Sequence, residues 1–303
     1  MTPMQIGFAT SMAGGNLSFA GVVQWAAEKG FDCVEVMGQH LHEVLDSAPE
    51  HTLRLVRTHG IDISALAPML NLLDPDAKVR GERINFLKRT MDKAEALGVR
   101  VVVTYGGSAF GMYFYGMPGV SRQRRSPQVE ENLQRFADVY GPLADYAEQR
   151  GVRLAFETAP RGGGHGNIAH CPELWDRMFE LVPSPALGLS LDPSHLVWLF
   201  IPVEETIRAY GSRLYHVDGK DTEILPEILR KQGILGNHWW RYRVPGLGVI
   251  NWGGVVSALK DAGYDGAIDI ENEDSLFPGP VGIEMAGRHL RQFVPQAARW
   301  PSA

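Results

Sequence analysis

The chain has almost no cysteine, no long apolar run and no excess of positive charge. Its two cysteines, Cys33 and Cys171, lie far apart and fit no metal or redox motif. Such sparse usage goes with a reducing compartment and points to the cytoplasm. The longest apolar run, 196–203, falls far short of the roughly 18 residues a membrane helix needs. The N-terminus enters a strand-like pattern at once, without the charged stretch and apolar core of a signal peptide. With 29 Lys and Arg against 35 Asp and Glu and a formal net charge of -6, the chain lacks the basic face of a general nucleic-acid binder. Neither a membrane nor a nucleic acid is therefore an expected partner. Composition shifts and flexible linkers are absent too, so one domain over 1–303 is expected; a globule of that size buries roughly three quarters of its unfolded surface and needs no disulfides.

What is present is a repeated strand grammar. In LGLSLDPSH (187–195) the aliphatics Leu187, Leu189 and Leu191 alternate with Gly188, Ser190 and Asp192, which gives a strand one greasy face and one small or polar face. The pattern recurs in VRLAFETAP, where Ala155 and Glu157 oppose Leu154 and Phe156. In RLYHVDGKD, Leu214 and His216 oppose Tyr215 and Val217; in GAIDIENED, Ala267, Asp269 and Glu271 oppose Ile268 and Ile270. Strand-like runs begin near Met4, Phe31, Asp62, Val99, Val152, Leu187, Arg213 and Gly266. Amphipathic stretches lie between them, among them 19–29, 50–59, 79–97 and 129–150, and several stop at a glycine in EKG, THG, ALG, QRG and DAG. Eight alternating units predict an α/β fold, a (β/α)8 TIM barrel. A doubly wound sheet would gather its ligands at one switch point rather than from successive strands.

In such a barrel four strands each deliver a metal-competent side chain inward near the carboxyl end: Glu157, Asp192, His216 and Glu271. A lone carboxylate at a strand end is more often a cap or an ion-pair partner. Four on one parity, at the face where barrel sites lie, read as a site. Three carboxylates this close raise one another's pKa unless a cation joins them. Oxygen donors with one imidazole suit one divalent ion, Mn²⁺ first, with Mg²⁺, Co²⁺ or Zn²⁺ as alternatives. His195 stands just above Asp192, and Asp269 lies one layer below Glu271, where it either orients a ligand or fills space.

Three connections exceed what a barrel requires. Residues 106–127 combine Phe110, Tyr113, Phe114 and Tyr115 with Arg122, Arg124 and Arg125, and suit a lid or a subunit contact. Residues 161–170 place His165 among glycines. Residues 222–251 carry a short helix near 224–231 and then Trp239, Trp240, Arg241 and Arg243.

FET in the fifth strand, LDPSH in the sixth, YHVDGKD in the seventh and DIENED in the eighth resemble the xylose isomerase-like TIM-barrel superfamily, within it the sugar phosphate isomerase/epimerase group. The resemblance covers nearly the whole chain. It implies that Glu157, Asp192, His216 and Glu271 ligate the metal, that His195 touches substrate oxygens, and that Arg243 binds substrate. It also implies that Glu157 and Glu271 serve as acid and base. The expected reaction is removal of a proton α to a carbonyl, through an enediolate, from a small sugar or keto-sugar. Return of the proton to the other face gives epimerisation, and return to the next carbon gives isomerisation. A leaving group β to the carbanion turns the same start into elimination, as in a lyase acting on a 3-keto sugar or 3-keto glycoside. That alternative draws on Trp198, Trp239 and Trp240, which suit a substrate larger than a triose. His165 is a further candidate for substrate contact. No glycine-rich cradle follows the last strands, so nothing obvious grips a phosphate.

Two other classes compete. His216 with Asp218 mimics a zinc pair of endonuclease IV, but strands two and three offer Glu35 and no histidine, and the charge is negative. A barrel that serves only as a binding subunit is the other, because fold alone implies no function. A homo-oligomer is the expected assembly.

Overall fold

The computed structural model describes residues 4–14, 17–109, 127–162 and 165–294, without the side chains of 127, 128, 161, 162 and 165. In chain order the strands are β1 (Gln5–Phe8), β2 (Cys33–Met37), β3 (Asp62–Ala67), β4 (Val101–Thr104), β5 (Arg153–Glu157), β6 (Arg161–Gly162), β7 (His165–Gly166), β8 (Leu187–Leu191), β9 (Leu214–Asp218), β10 (Asp221–Ile224), β11 (Trp240–Arg243) and β12 (Ala267–Ile270). Eight of them form one sheet in the order β1, β12, β9, β8, β5, β4, β3, β2, with every described pairing parallel. A parallel bridge between Ala9 and Glu35 joins the first strand to the last and closes the ring. This is the expected (β/α)8 barrel, and its eight strands begin within two residues of the positions the alternation marks.

The aliphatic parity of each strand meets the surrounding helices. Leu187, Leu189 and Leu191 are fully buried in the same core as Trp175 and Met178 of α6 (Pro172–Leu181) and Ile207 of α8 (Val203–Tyr210). The helices stop where the glycines predict: Gly30, Gly60 and Gly98 end α1 (Phe19–Lys29), α3 (Pro49–His59) and α4 (Ala77–Leu97) in the left-handed conformation, with φ of 77, 65 and 72°. Only glycine adopts that turn without a Cβ penalty. None of the described helices, the 23-residue α5 (Pro127–Gln149) included, is long and apolar enough to cross a membrane.

The alternation breaks at one place. Between Leu189–Leu214 and Ser190–His216 the β8–β9 register slips by one residue, leaving Tyr215 as the extra residue of a bulge. Tyr215, expected on the outward parity, instead packs with Ala65, Ala67, Val103 and Ala155 inside the barrel, and its hydroxyl donates to Pro185 O at 2.6 Å. The interior is thus plugged low down by one ring among small side chains. A cavity of about 930 Å³ opens at the amino-terminal end beside Arg57, Asp62, Arg100 and Tyr264, remote from the end where barrel enzymes keep their chemistry.

Three elements at the carboxyl end go beyond the expected pattern. α2 (Gln39–Asp46) follows β2, α7 (Pro193–Trp198) follows β8, and β10 pairs antiparallel with β11 as a ribbon that frames the short helix α9 (Pro226–Gln232). The ribbon matters because it sets Tyr242 opposite Thr222 and Arg243 opposite Asp221. Of the long 106–127 connection, residues 110–126 lie outside the described residues.

Candidate active site

Asp192 ends the inward parity of β8 and begins α7. Its Oδ1 accepts from Ser194 N at 2.8 Å, capping the helix, which turns the other oxygen toward the barrel mouth. There Oδ2 lies 3.0 Å from His195 Nε2 and 2.8 Å from Lys220 Nζ. Glu157, last residue of β5, places Oε1 3.5 Å from the same His195 nitrogen. Glu157, Asp192 and His195 are all buried, and each offers one donor atom within 4.8 Å of the others.

Glu271 joins this group through Lys220. The Lys220 ammonium, only 2% exposed, contacts Glu271 Oε2 and Asp192 and reaches Glu273 Oε2 at 3.3 Å. Burial by itself would lower the pKa of this ammonium, but Asp192, Glu271, Glu273 and Glu157 together hold it well above the ordinary lysine value. Burial raises Glu271 most, Lys220 opposes the shift, and Glu157, Glu273 and Asp192 add to it, so its carboxyl is pushed up to about 7. His195 is pushed up to about 9: burial opposes its charge, yet Asp192 and Glu157 win over the repulsion from Lys220. The cation expected beside three clustered carboxylates is a divalent ion; part of that neutralisation is performed here by a lysine.

His216 lies elsewhere. Its Nδ1 is 2.7 Å from Ser190 Oγ and its Nε2 is 2.9 Å from Asp269 Oδ2, so both ring nitrogens are engaged one layer below the mouth. Asp269 therefore orients this ring. Glu35 and Asp218 stand beside it, at 3.8 and 3.7 Å, and these three buried residues make a second group of closely spaced donors. The carboxylate of β9 that faces the mouth is Asp218. Burial raises its pKa well above the usual range, with Glu271, Asp192 and Glu157 as the next contributors. The structure thus brings Glu157, Asp192 and Glu271 to one mouth and sets His216 beneath it, with Asp218 between.

The remaining expected residues divide the same way. His195 sits in the mouth, its Nδ1 3.0 Å from the Tyr242 hydroxyl. Arg243 is tied by Asp274 through Nε at 2.8 Å and by Glu223 through Nη1 at 2.5 Å. Trp239 is buried, donates to Ile234 O and stacks on Phe200. The tryptophan that reaches toward the site is Trp240, stacked on Trp198 with 4.6 Å between centroids and 3° between planes, and edge-on to Tyr242. The side chain of His165 lies outside the described residues.

Three residues that organise the mouth, Asn167, Asp221 and Lys220, are absent from the expected set. Asn167 donates to the carbonyls of Glu157 and Ala159 and accepts from Gly107 N, lacing the connection after β5 to the one after β4. Asp221 accepts from Thr222 N, Gly246 N, Ile250 N and the Trp252 indole, pinning the 244–252 turn to the ribbon. Lys220 was the legible omission, since 216, 218 and 220 continue one parity.

The donor set fits a divalent ion. Asp192 Oδ2 is fully buried and already faces positive charge, with His195 Nε2 at 3.0 Å and Lys220 Nζ at 2.8 Å. A buried carboxylate oxygen turned toward cations, with Glu157 and Glu271 beside it, is a donor suited to a divalent ion.

This barrel, with acidic groups converging at its carboxyl mouth, defines a class, and the chain belongs to the xylose isomerase-like TIM barrel family, whose model matches residues 23–293. It is 27% identical over 97% of its length to the uncharacterized protein YfiH of Bacillus subtilis, all of which is covered. An inosose isomerase of Bacillus velezensis is 26% identical over 87% of this chain and 85% of its own, and a D-psicose 3-epimerase of Agrobacterium fabrum 23% over 84% and 78%. An inosose dehydratase of Clostridium perfringens is 26% identical over 52% of this chain and 54% of its own. Among solved structures, that of the IOLI protein with a binding zinc atom superposes with a TM-score of 0.72, at 24% identity over 96% of this chain and 98% of that one. The relatives with named activities are thus sugar isomerases, epimerases and dehydratases.

Proposed function

We propose that this chain is a divalent-metal-dependent sugar isomerase or epimerase. The observation that carries the reading is the convergence, at one buried mouth, of Glu157 from β5 and Glu271 from the end of β12, strands three places apart in the ring, with Asp192 between them. Carboxylates entering from separated strands can address a planar intermediate from two sides.

In this reading the ion is held by Glu157, Asp192, Glu271 and, in place of the expected His216, Asp218, because both nitrogens of His216 are already engaged. Manganese is the first choice on the oxygen-rich donor set, and the zinc named in one structural relative keeps zinc among the alternatives. The ion supplies Lewis acidity at the substrate carbonyl. Glu157 and Glu271 take and return the α-proton. His195, a donor held between Asp192, Glu157 and Tyr242, orients a substrate oxygen. Arg243, bound by two carboxylates, steadies the ribbon that carries Tyr242.

A second reading is favoured by the Trp198–Trp240 stack, which builds an aromatic wall next to His195 and Tyr242. Such a wall suits a sugar bearing an aglycone, and with a β leaving group the same proton removal yields elimination. One experiment separates the two. Proton NMR in D2O, with Mn²⁺ or Mg²⁺ and a panel of ketohexoses, ketopentoses, inosose and 3-keto glucosides, should show deuterium entering α to the carbonyl. A sugar product supports the isomerase or epimerase reading, and release of an aglycone or water supports the lyase. Absence of exchange from every member of the panel in metal-loaded protein refutes enolisation of these substrates.

A further inference from the structure

Lys220 is a buried lysine that the proton-transfer scheme does not use. It follows β9 by two residues and places its ammonium between Asp192, whose cap bond fixes it at the start of α7, and Glu271, which directly follows β12. These are two of the carboxylates assigned above to the metal. The ammonium is therefore already where a cation is needed, and it also touches a third carboxylate and a ring toward which it can shift. Glu273, 41% exposed, lies 3.3 Å from Nζ on the solvent side, and the face of Tyr242 lies 4.6 Å away. Both favour a cation.

We propose that Lys220 is a built-in counter-ion that holds the carboxylate cage together in the metal-free protein and competes with the divalent ion for it. Resting on the metal reading above, the inference assigns the lysine a state-dependent position: inside the cage without metal, withdrawn toward Glu273 and Tyr242 with it. Physical necessity runs in both directions. Without a cation between them the carboxylates of Asp192 and Glu271, both in contact with the Lys220 ammonium, would repel each other and splay apart. With a divalent ion among them, an ammonium in the same contacts would be repelled by two charges at close range. A lysine on a four-carbon stem can make that exchange where a shorter side chain could not.

The test is calorimetric titration of chelator-treated protein with Mn²⁺, comparing wild type with Lys220→Met. Removal of the competitor should tighten Mn²⁺ binding at least tenfold and lower the metal-free melting temperature, with most of that loss recovered on saturation. An affinity unchanged within twofold, or weakened, overturns the proposal, because the lysine then does not contend for the metal's ligands. Wild type that takes up no Mn²⁺, Mg²⁺ or Zn²⁺ at all sinks the metal reading itself, a distinct pattern that leaves no competition to measure. If Lys220→Met does not fold in chelator, Mn²⁺ should restore it; failure to do so marks the lysine as a packing residue and refutes its role as a stand-in cation.

Discussion

Glu157 is the residue on which the chemistry turns most directly. Replacing it with Gln keeps the volume and the carbonyl contact to Asn167 but removes the proton acceptor. Positioned acid–base groups contribute about 10²–10⁴-fold, so Glu157→Gln should lower α-proton exchange at least a hundredfold while leaving the circular dichroism spectrum unchanged. Wild-type exchange rates in that variant would take Glu157 out of the mechanism. A sharper comparison sets Asp218 against His216, two residues apart on one strand. Asp218→Asn should weaken metal binding tenfold or more with a small effect on the fold. His216→Gln should do the reverse, because an amide cannot reproduce both ring contacts and leaves Ser190 and Asp269 to their longer contacts with Asp218 and Cys33, a weakening of buried polar groups that costs about 1–3 kcal/mol. If the titration instead finds metal affinity lost in His216→Gln and kept in Asp218→Asn, the imidazole is the ligand after all.

At the scale of the element, β8 shows what alternation can and cannot tell. Its greasy parity faces the helices and its small parity faces inward, as the sequence reads. Gly188 has a reason beyond smallness: a Cβ there would sit 2.4 Å from both the Arg213 carbonyl and the Tyr215 ring, the atoms that the bulge in β9 pushes inward. Overpacking of this kind costs about 1–3 kcal/mol, so Gly188→Ala should lower the unfolding free energy from denaturant titration by that amount; an unchanged value would mean that Tyr215 moves freely. Parity marks a face, but it carries no depth. His216, Asp218 and Lys220 share one parity, and which of them reaches the mouth depends on strand tilt and on a one-residue slip against β8, neither of which is written in the hydrophobic pattern. The same blindness left Tyr215 on the wrong side. The ribbon β10–β11 was hidden for another reason. β11 alternates Trp240 and Tyr242 with Arg241 and Arg243, but it is only four residues long and half buried, and its partner β10 shows no such alternation and is ordered largely through the buried Asp221.

For the whole molecule, the acidic mouth links metal binding to the stability of the closed ring. β5, β8, β9 and β12 all send a carboxylate to it, and these strands are neighbours in the sheet. Their mutual repulsion is a strain shared across half the barrel, relieved in the metal-free protein by Lys220 alone among the described lysines and arginines in contact with Asp192 or Glu271. An ion that binds only the folded mouth stabilises the fold by RT ln(1 + [M]/Kd), about 2.7 kcal/mol at a hundredfold excess over Kd. At about 2.1 cal/mol/K per residue, a chain of 303 residues shifts by roughly 1.5 °C for each kcal/mol, so a hundredfold excess of Mn²⁺ over Kd should raise the melting temperature by about 4 °C over protein in chelator. The increment should grow with the logarithm of metal concentration rather than level off, because mass action continues above saturation. A melting temperature insensitive to Mn²⁺, Mg²⁺, Co²⁺ and Zn²⁺ alike would mean that the mouth is complete with its lysine, and that the carboxylates serve a metal-free chemistry or none.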